Sequence, residues 1–250
     1  MAISIKSPRE IDLMRQSCKL LAKVYEELEK VIRPGISTWE INEIGEKLIR
    51  QAGGVPNFLN YNGFPASICT SVNEAVVHGI PRKDCILKEG DIVSLDAGLI
   101  YKGYHSDAAR TVMVGKVSKE VEDLVRITKE SFFEGIKYAK AGNHLYDISN
   151  AIADYIEPHG YGIVRELVGH GIGTHLHEDP QIPNFRQTKK GPRLYPGMTL
   201  AIEPMINLGR ADVEWLDDDW TVVAEDGLPS AHYENTILIT EGEPEILTLL

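Results

Sequence analysis

The chain of 250 residues carries 37 acidic against 26 basic side chains, a formal net charge of −11, with 43% hydrophobic and 25% charged residues. That mix is ordinary for a globular protein with a sizeable core. The acidic excess argues against general nucleic-acid affinity, no apolar run approaches membrane-spanning length, and the start MAISIKSPREIDLMRQ lacks the form of a signal peptide. Three cysteines, Cys18, Cys69 and Cys85, are widely spaced and form no CxxC pair, which points to reduced thiols and a cytoplasmic location.

In chain order, Pro8 to Ile32 reads as an amphipathic helix. Ser7 can cap it, Pro8 suits its first position, and Ile11, Met14, Cys18, Leu21 and Val24 recur at helical spacing. Pro34-Gly35 ends it. Ser37 or Thr38 caps a second helix carrying Ile41, Ile44, Leu48 and Ile49, and Gly53-Gly54 stops that one. The Gly/Pro/Asn/aromatic segment from Val55 to Pro65 reads as loop, and Ile68 to Val77 as one strand ending at His78-Gly79.

Next comes GDIVSLDAGLIYKGYHSD, Gly90 to Asp107, a β-hairpin rich in β-branched and aromatic residues around a Gly-containing turn. A turn centred on Tyr101-Lys102 would set Asp96 and Asp107 face to face across the ladder. Carboxylates that close repel unless a cation lies between them.

From about Val121 the pattern restarts. A helix runs to about Ala139 with Gly142 beyond, and a second carries Leu145, Ile148, Ile152 and Ile156 before Gly160. Gly35 and Gly142, Ile41 and Ile148, Gly53 and Gly160, Gly90 and Gly197, Asp96 and Glu203 are each 107 positions apart. His105-Ser106-Asp107 matches His232-Tyr233-Glu234 at an offset of 127, the extra residues falling around Gly209 to Gly227. The expectation is one catalytic domain over residues 1–250 with an internal repeat, approximately 8–115 and 121–240. The fold class is α+β, two pseudo-twofold-related halves whose helices cover one face of a curved antiparallel sheet while Asp96, Asp107, Glu203 and Glu234 meet on the other.

Four buried carboxylates need counter-charge, which two divalent cations would supply. VGHGIGTHLHEDP, Val168 to Pro180, adds His170, His175 and His177 in a Gly-rich frame. Carboxylates with one imidazole suit Mn, Fe, Co or Zn, while the cysteines are not placed for a structural zinc. Such a pair of ions activates water, so the chemistry points to hydrolysis.

The motifs VHGIP at His78, DIVSLDAG at Asp96, HSDAAR at Asp107, GHGIG at His170, HEDPQIPN after His177, PGMTLAIEPM at Glu203 and HYENTILI at Glu234 span nearly the whole chain. With them the chain resembles the type I methionine aminopeptidases of the pita-bread metallopeptidase group, in the bacterial short form. The resemblance implies that Asp96 binds one metal, that His170 and Glu203 bind the other, and that Asp107 and Glu234 bridge both. It makes His78 and His177 the substrate-contacting histidines, one steadying the tetrahedral intermediate, and Glu203 the proton shuttle. It places the methionine side chain against Tyr61, Phe64, Cys69, Leu176 and Trp220. The implied substrates are N-terminal Met peptides and nascent chains with a small second residue, met by a monomer, with the ribosome a candidate partner and neither nucleic acid nor membrane contacted directly.

Two departures stand out: Asn235 where many relatives have histidine, and Leu176 where some carry an aromatic ring. Two other readings stay open, a proline-directed aminopeptidase of the same fold and a non-catalytic binding module. The first usually carries an additional N-terminal domain, and the second usually loses metal ligands. His144 and His159 read as ordinary polar residues beside helix ends, His105 and His232 as equal candidates to support a ligand from behind, and His175 stays open.

Overall fold

A computed structural model describes residues 3–250. Two amphipathic helices come first, α1 (Pro8–Leu28) and α2 (Thr38–Gln51). Both open on capping boxes, Ser7 with Glu10 and Ser37 with Glu40, in which serine and glutamate satisfy each other's backbone N–H groups. Such a cap contributes about 1 kcal/mol. A 3₁₀ turn over Glu29–Val31 takes the place of the expected last helical turn to Ile32.

The first strands are β1 (Val55–Pro56), β2 (Ile68–Val72), β3 (Ala75–Val77), β4 (Ile92–Tyr101) and β5 (Tyr104–Met113). The segment expected to be loop thus contributes a two-residue strand, Val55 and Pro56 pairing with Ile100 and Leu99. The single strand expected from Ile68 to Val77 is broken by Asn73, whose φ of 51° turns the chain, so β2 and β3 join different sheets. Then follow α3 (Lys119–Ile136) and α4 (Leu145–Ile156), β6 (Gly162–Ile163), β7 (Gly169–Gly171), β8 (Glu178–Ile182), β9 (Thr199–Ile202) and β10 (Met205–Asn207). The chain closes with β11 (Val213–Trp215), β12 (Val222–Ala224), β13 (Ser230–His232), β14 (Glu234–Leu238) and β15 (Glu245–Ile246).

The main sheet runs β1-β4-β5-β14-β9-β7-β8, all pairs antiparallel, with β2 on β4 and β15 on β14. The β9–β14 ladder continues as β10–β13, which pairs with β6 in a small second sheet. A third sheet joins β11, β12 and β3. One core lies under each helix pair. Leu21, Tyr25, Leu28, Ile41 and Ile49 pack on Leu95 and Leu99, whereas Phe132, Ile148 and Ile152 pack on Leu200, Ile202 and Ile237. Among the described residues no helix is long and apolar enough to cross a membrane.

The hairpin register differs from expectation by one step. The turn is Lys102-Gly103, with φ of 50° and 83°, and Tyr101 pairs with Tyr104. A two-residue hairpin turn of this hand needs positive φ at both positions, which Gly103 supplies without strain. Asp96 therefore faces Ala109, and Asp107 faces Gly98, so the two acids are diagonal neighbours instead of a directly opposed pair.

Candidate active site

Register alone puts the acids on one face. Side chains alternate along a strand. Ala109 lies opposite both Asp96 on β4 and Glu234 on β14, and Asp107 is two residues from Ala109. Across β14 and β9, Thr236 faces Ala201, Ala201 faces His170 on β7, and Glu203 is two residues from Ala201. Every one of the five falls on the same side. The alternating positions, Ala108, Arg110 and Asn235, fall on the helix side, where Arg110 donates to Asn235 Oδ1 at 2.6 Å and to the Glu234 carbonyl. The guanidinium lies 4.6 Å from the Tyr233 ring and 5.4 Å from Tyr25. This clamp holds the backbone of Glu234 from behind, while Thr236 Oγ1 fixes the backbone of Asp107, donating to its carbonyl at 2.8 Å.

His170 Nε2 stands 3.5 Å from Glu203 Oε1 and 3.8 Å from Asp107 Oδ2. Its Nδ1 is 2.9 Å from the Gly171 carbonyl, an arrangement that puts the proton on Nδ1 and leaves Nε2 as a bare lone pair facing the acids. Asp107, His170 and Glu234 offer ligand atoms within 4.8 Å of one another, and so do Glu203, His232 and Glu234. Asp96 Oδ1, Asp107 Oδ1 and Glu234 Oε1 are buried with no hydrogen-bond partner. A buried polar atom left unmatched is costly, and converging carboxylate oxygens with an imidazole nitrogen are the donor set of a divalent ion. The residues fit one.

Without a cation the surroundings favour the protonated form of the acids. Burial pushes Asp96 up to about 7, His232 pulling the other way and Glu203 adding to the rise. Burial pushes Glu203 up to about 8. Asp107 and Glu234 are pushed well above the carboxylate range, first by burial and then by their neighbours' charges. Burial and the nearby His177 lower His170 to about 3, so its imidazole is neutral at physiological pH.

The acids lie at the floor of a cavity of about 260 Å³. Tyr61, Phe64, Cys69, His78, Leu176, His177 and Trp220 all line it, so the twelve side chains singled out in the sequence converge on one place. Phe64 meets Trp220 edge-on at 5.1 Å, and the His78 ring stands near-perpendicular to Trp220 at 6.3 Å. Trp220 arrives on the β11–β12 loop, whose tip Asp218 accepts from Trp220 N and Thr221 N at 2.9 and 2.7 Å. Tyr61 Oη is 2.8 Å from His177 Nδ1, which fixes that ring and leaves Nε2 for a ligand. His78 sits at φ 57°, a conformation non-glycine residues adopt at a cost. The next residue must be glycine for packing: a Cβ on Gly79 would stand 2.4 Å from the Thr70 carbonyl.

Phe58, Val77 and Met205 also line the cavity and were missed. Met205 follows Glu203 by two residues on the same ladder, so strand alternation alone could have found it. The two supporting histidines part company. Neither lines the cavity, but His105 lies 3.4 Å from Asn57 whereas His232 is fully buried against Glu203. His175 is largely exposed, its Nδ1 4.0 Å from Glu178. His144 is the N-cap of α4 and His159 lies between Tyr155 and Tyr161.

Residues 12–241 match the model of metallopeptidase family M24. Methionine aminopeptidase of Clostridium acetobutylicum is 50% identical over 247 residues, covering 99% of each chain. The crystal structure of methionine aminopeptidase from Thermotoga maritima superposes with a TM-score of 0.97 at 44% identity, each chain fully covered. The Xaa-Pro dipeptidase of Bacillus anthracis superposes at 0.78 with 26% identity, over 98% of this chain but 61% of that one. The fold is the pita-bread fold.

Proposed function

The chain belongs to metallopeptidase family M24, and on that premise we propose that it is an aminopeptidase that removes N-terminal methionine from newly made proteins when the next residue is small. It is a hydrolase that uses divalent metal. The observation that carries the reading is the floor of unpartnered carboxylate oxygens beneath an apolar and aromatic pocket of the size and softness a thioether chain needs.

The site is read as a two-ion centre of Co, Mn, Fe or Zn, held by Asp96, Asp107, His170, Glu203 and Glu234. When bound, such ions lower the pKa of a water and polarise a carbonyl. The protein does the rest. The carboxylates receive the substrate's free amine at the floor of the cavity, and Tyr61, Phe64, Cys69, Leu176 and Trp220 enclose the methionine chain. His177 Nε2 donates to the scissile carbonyl oxygen as negative charge develops there, and His78 holds the peptide from the opposite wall. Glu203 takes a proton from the attacking water and delivers it to the departing amide nitrogen. A pocket contact of one methylene discriminates by only about 1–3 kcal/mol, so the closed wall, not affinity, excludes larger chains. Residues 1–250 are read as one catalytic domain of two related halves, a cytoplasmic monomer acting on nascent chains at or near the ribosome.

The test uses metal-stripped protein with Mn²⁺, Fe²⁺, Co²⁺ or Zn²⁺ added separately. Free methionine is followed from Met-Ala-Ser, with Leu-Ala-Ser, an Xaa-Pro peptide and N-acetylated Met-Ala-Ser as controls. Metal-dependent release from Met-Ala-Ser alone, abolished in Glu203→Ala, is the expected result. Cleavage of the Xaa-Pro peptide instead would move the chain to the proline-directed branch. Silence with every metal, in folded protein, would leave a binding module.

A further inference from the structure

His232 is 1% exposed, and neither of its ring nitrogens has a hydrogen-bond partner. Few buried imidazoles stand so. Its place is nonetheless closely determined. The His232 N–H donates to Thr111 Oγ1 at 2.8 Å and its carbonyl accepts from the same hydroxyl at 2.9 Å. Its neighbour across the ladder is Met205, two residues beyond Glu203. The ring is thereby aimed at the acid floor, with Nε2 3.6 Å from Glu203 Oε2, while His170 Nε2 faces the other oxygen, Oε1, at 3.5 Å.

The two imidazoles are built differently behind their Nε2 atoms. His170 has a carbonyl, Gly171 O, at its Nδ1, the arrangement that leaves Nε2 bare for a metal. Among the described residues nothing accepts a proton from His232 Nδ1. The favoured neutral form therefore carries its hydrogen on Nε2, beside a carboxylate oxygen. A ligating carboxylate normally has its second oxygen hydrogen-bonded.

We propose that His232 is a positioning residue of the metal centre: its Nε2–H closes on Glu203 Oε2 when the site is loaded and holds Oε1 toward the ion shared with His170. This rests on the metal reading above. It assigns His232 a donor's part, although its nitrogen lies within ligand range of Glu203 and Glu234.

Two variants test it: His232→Gln, which can present an N–H near the same point, and His232→Leu, which cannot. Titration calorimetry with Mn²⁺ gives affinity and stoichiometry, and the visible spectrum of the Co²⁺ form reports lost nitrogen ligands. The leucine variant is expected to bind Mn²⁺ about 10–100-fold more weakly and the glutamine variant within about threefold of the unmodified protein. The Co²⁺ band positions should be alike in unmodified protein and glutamine variant. Unchanged affinity in His232→Leu would overturn the proposal, as would a Co²⁺ spectrum of His232→Gln showing one fewer nitrogen, which would make His232 a ligand. If His232→Leu does not fold, a loss beyond about tenfold in folded His232→Gln overturns it. Failure of the unmodified protein to bind Mn²⁺ would sink the metal reading itself, and this inference with it.

Discussion

The two pairs of acids are delivered by ladders of opposite character. Asp96 and Asp107 sit on β4 and β5, ten paired residues joined by a two-residue turn. Glu203 directly follows β9 and Glu234 opens β14, two strands joined by a long excursion through β10 to β13. The first pair is placed by local geometry: given the turn, every residue's partner follows. The second is placed by tertiary pairing, and the chain between does separate work, sending Trp220 into the cavity and His232 against Glu203. Beyond its two acids the first ladder adds no side chain to the cavity lining, whereas the chain that joins the second adds Met205 and Trp220.

If both ladders feed one centre, the largest effect is symmetric. Asp107→Asn and Glu234→Gln, one from each, should each cut kcat/KM and Mn²⁺ affinity by more than about 100-fold, since even partners behind a ligand cost 10–100-fold. A loss confined to one of the two would break the comparison, and calorimetry beside a Met-Ala-Ser assay reads both. His177→Ala should lower kcat by about 10²–10³ while Mn²⁺ stoichiometry stays as in the unmodified protein. Weakened metal binding in that variant would place His177 among the ligands.

Trp220→Ala separates the two jobs of the second ladder. KM for Met-Ala-Ser should rise by roughly tenfold or more and preference over bulkier first residues should shrink, with Mn²⁺ affinity retained. Unchanged selectivity would take the wall away from the β11–β12 loop.

A smaller effect concerns the metal-free protein. Asp96 and Glu203 have folded pKa values raised to about 7 and 8. The folded state thus binds more protons than the unfolded one, and the stability these groups contribute is complete below the ordinary carboxylate range and lost as pH rises through 7 and 8. His170 and His232, lowered to about 3 and 4, act in the opposite direction only below their ordinary value of about 6.5. The melting temperature of stripped protein should therefore fall by several degrees between pH 6.5 and 8.5. Added Mn²⁺ should raise it more at pH 8.5 than at 6.5, because binding displaces those protons. A flat profile would mean that the acids are already solvated. Smallest is Gly103→Ala, which forces a Cβ into φ 83° and should cost about 1 kcal/mol in urea unfolding, with Mn²⁺ affinity intact.

Much of this was legible in the residues. Caps at Ser7 and at Ser37 or Thr38 and the apolar periodicity of four helices mark local structure, which depends on neighbours a few positions away. Asp96 and Asp107 were readable as partners because a hairpin is local. The reading slipped at Lys102-Gly103, where the turn's centre differs by one position, and at Asn73, where a positive φ splits one apolar run between two sheets. The fold and the twelve side chains of the site came from motifs joined to a resemblance. The separation of His105 from His232 had no sequence signal, since both stand two residues before an acid on a strand.

By itself the sequence determined the helices, the first hairpin, the alternation that puts Asp96, Asp107 and Glu234 on like-facing positions, and the donor types available to a cation. The tertiary structure decided which oxygens stay unpartnered, that Arg110 grips Glu234 from the helix side, and that His232 and not His105 reaches Glu203. The reason is range. Caps, turns and periodicity are settled within a few residues, whereas contacts such as Arg110 with Asn235 span 125 positions and depend on which strands become neighbours.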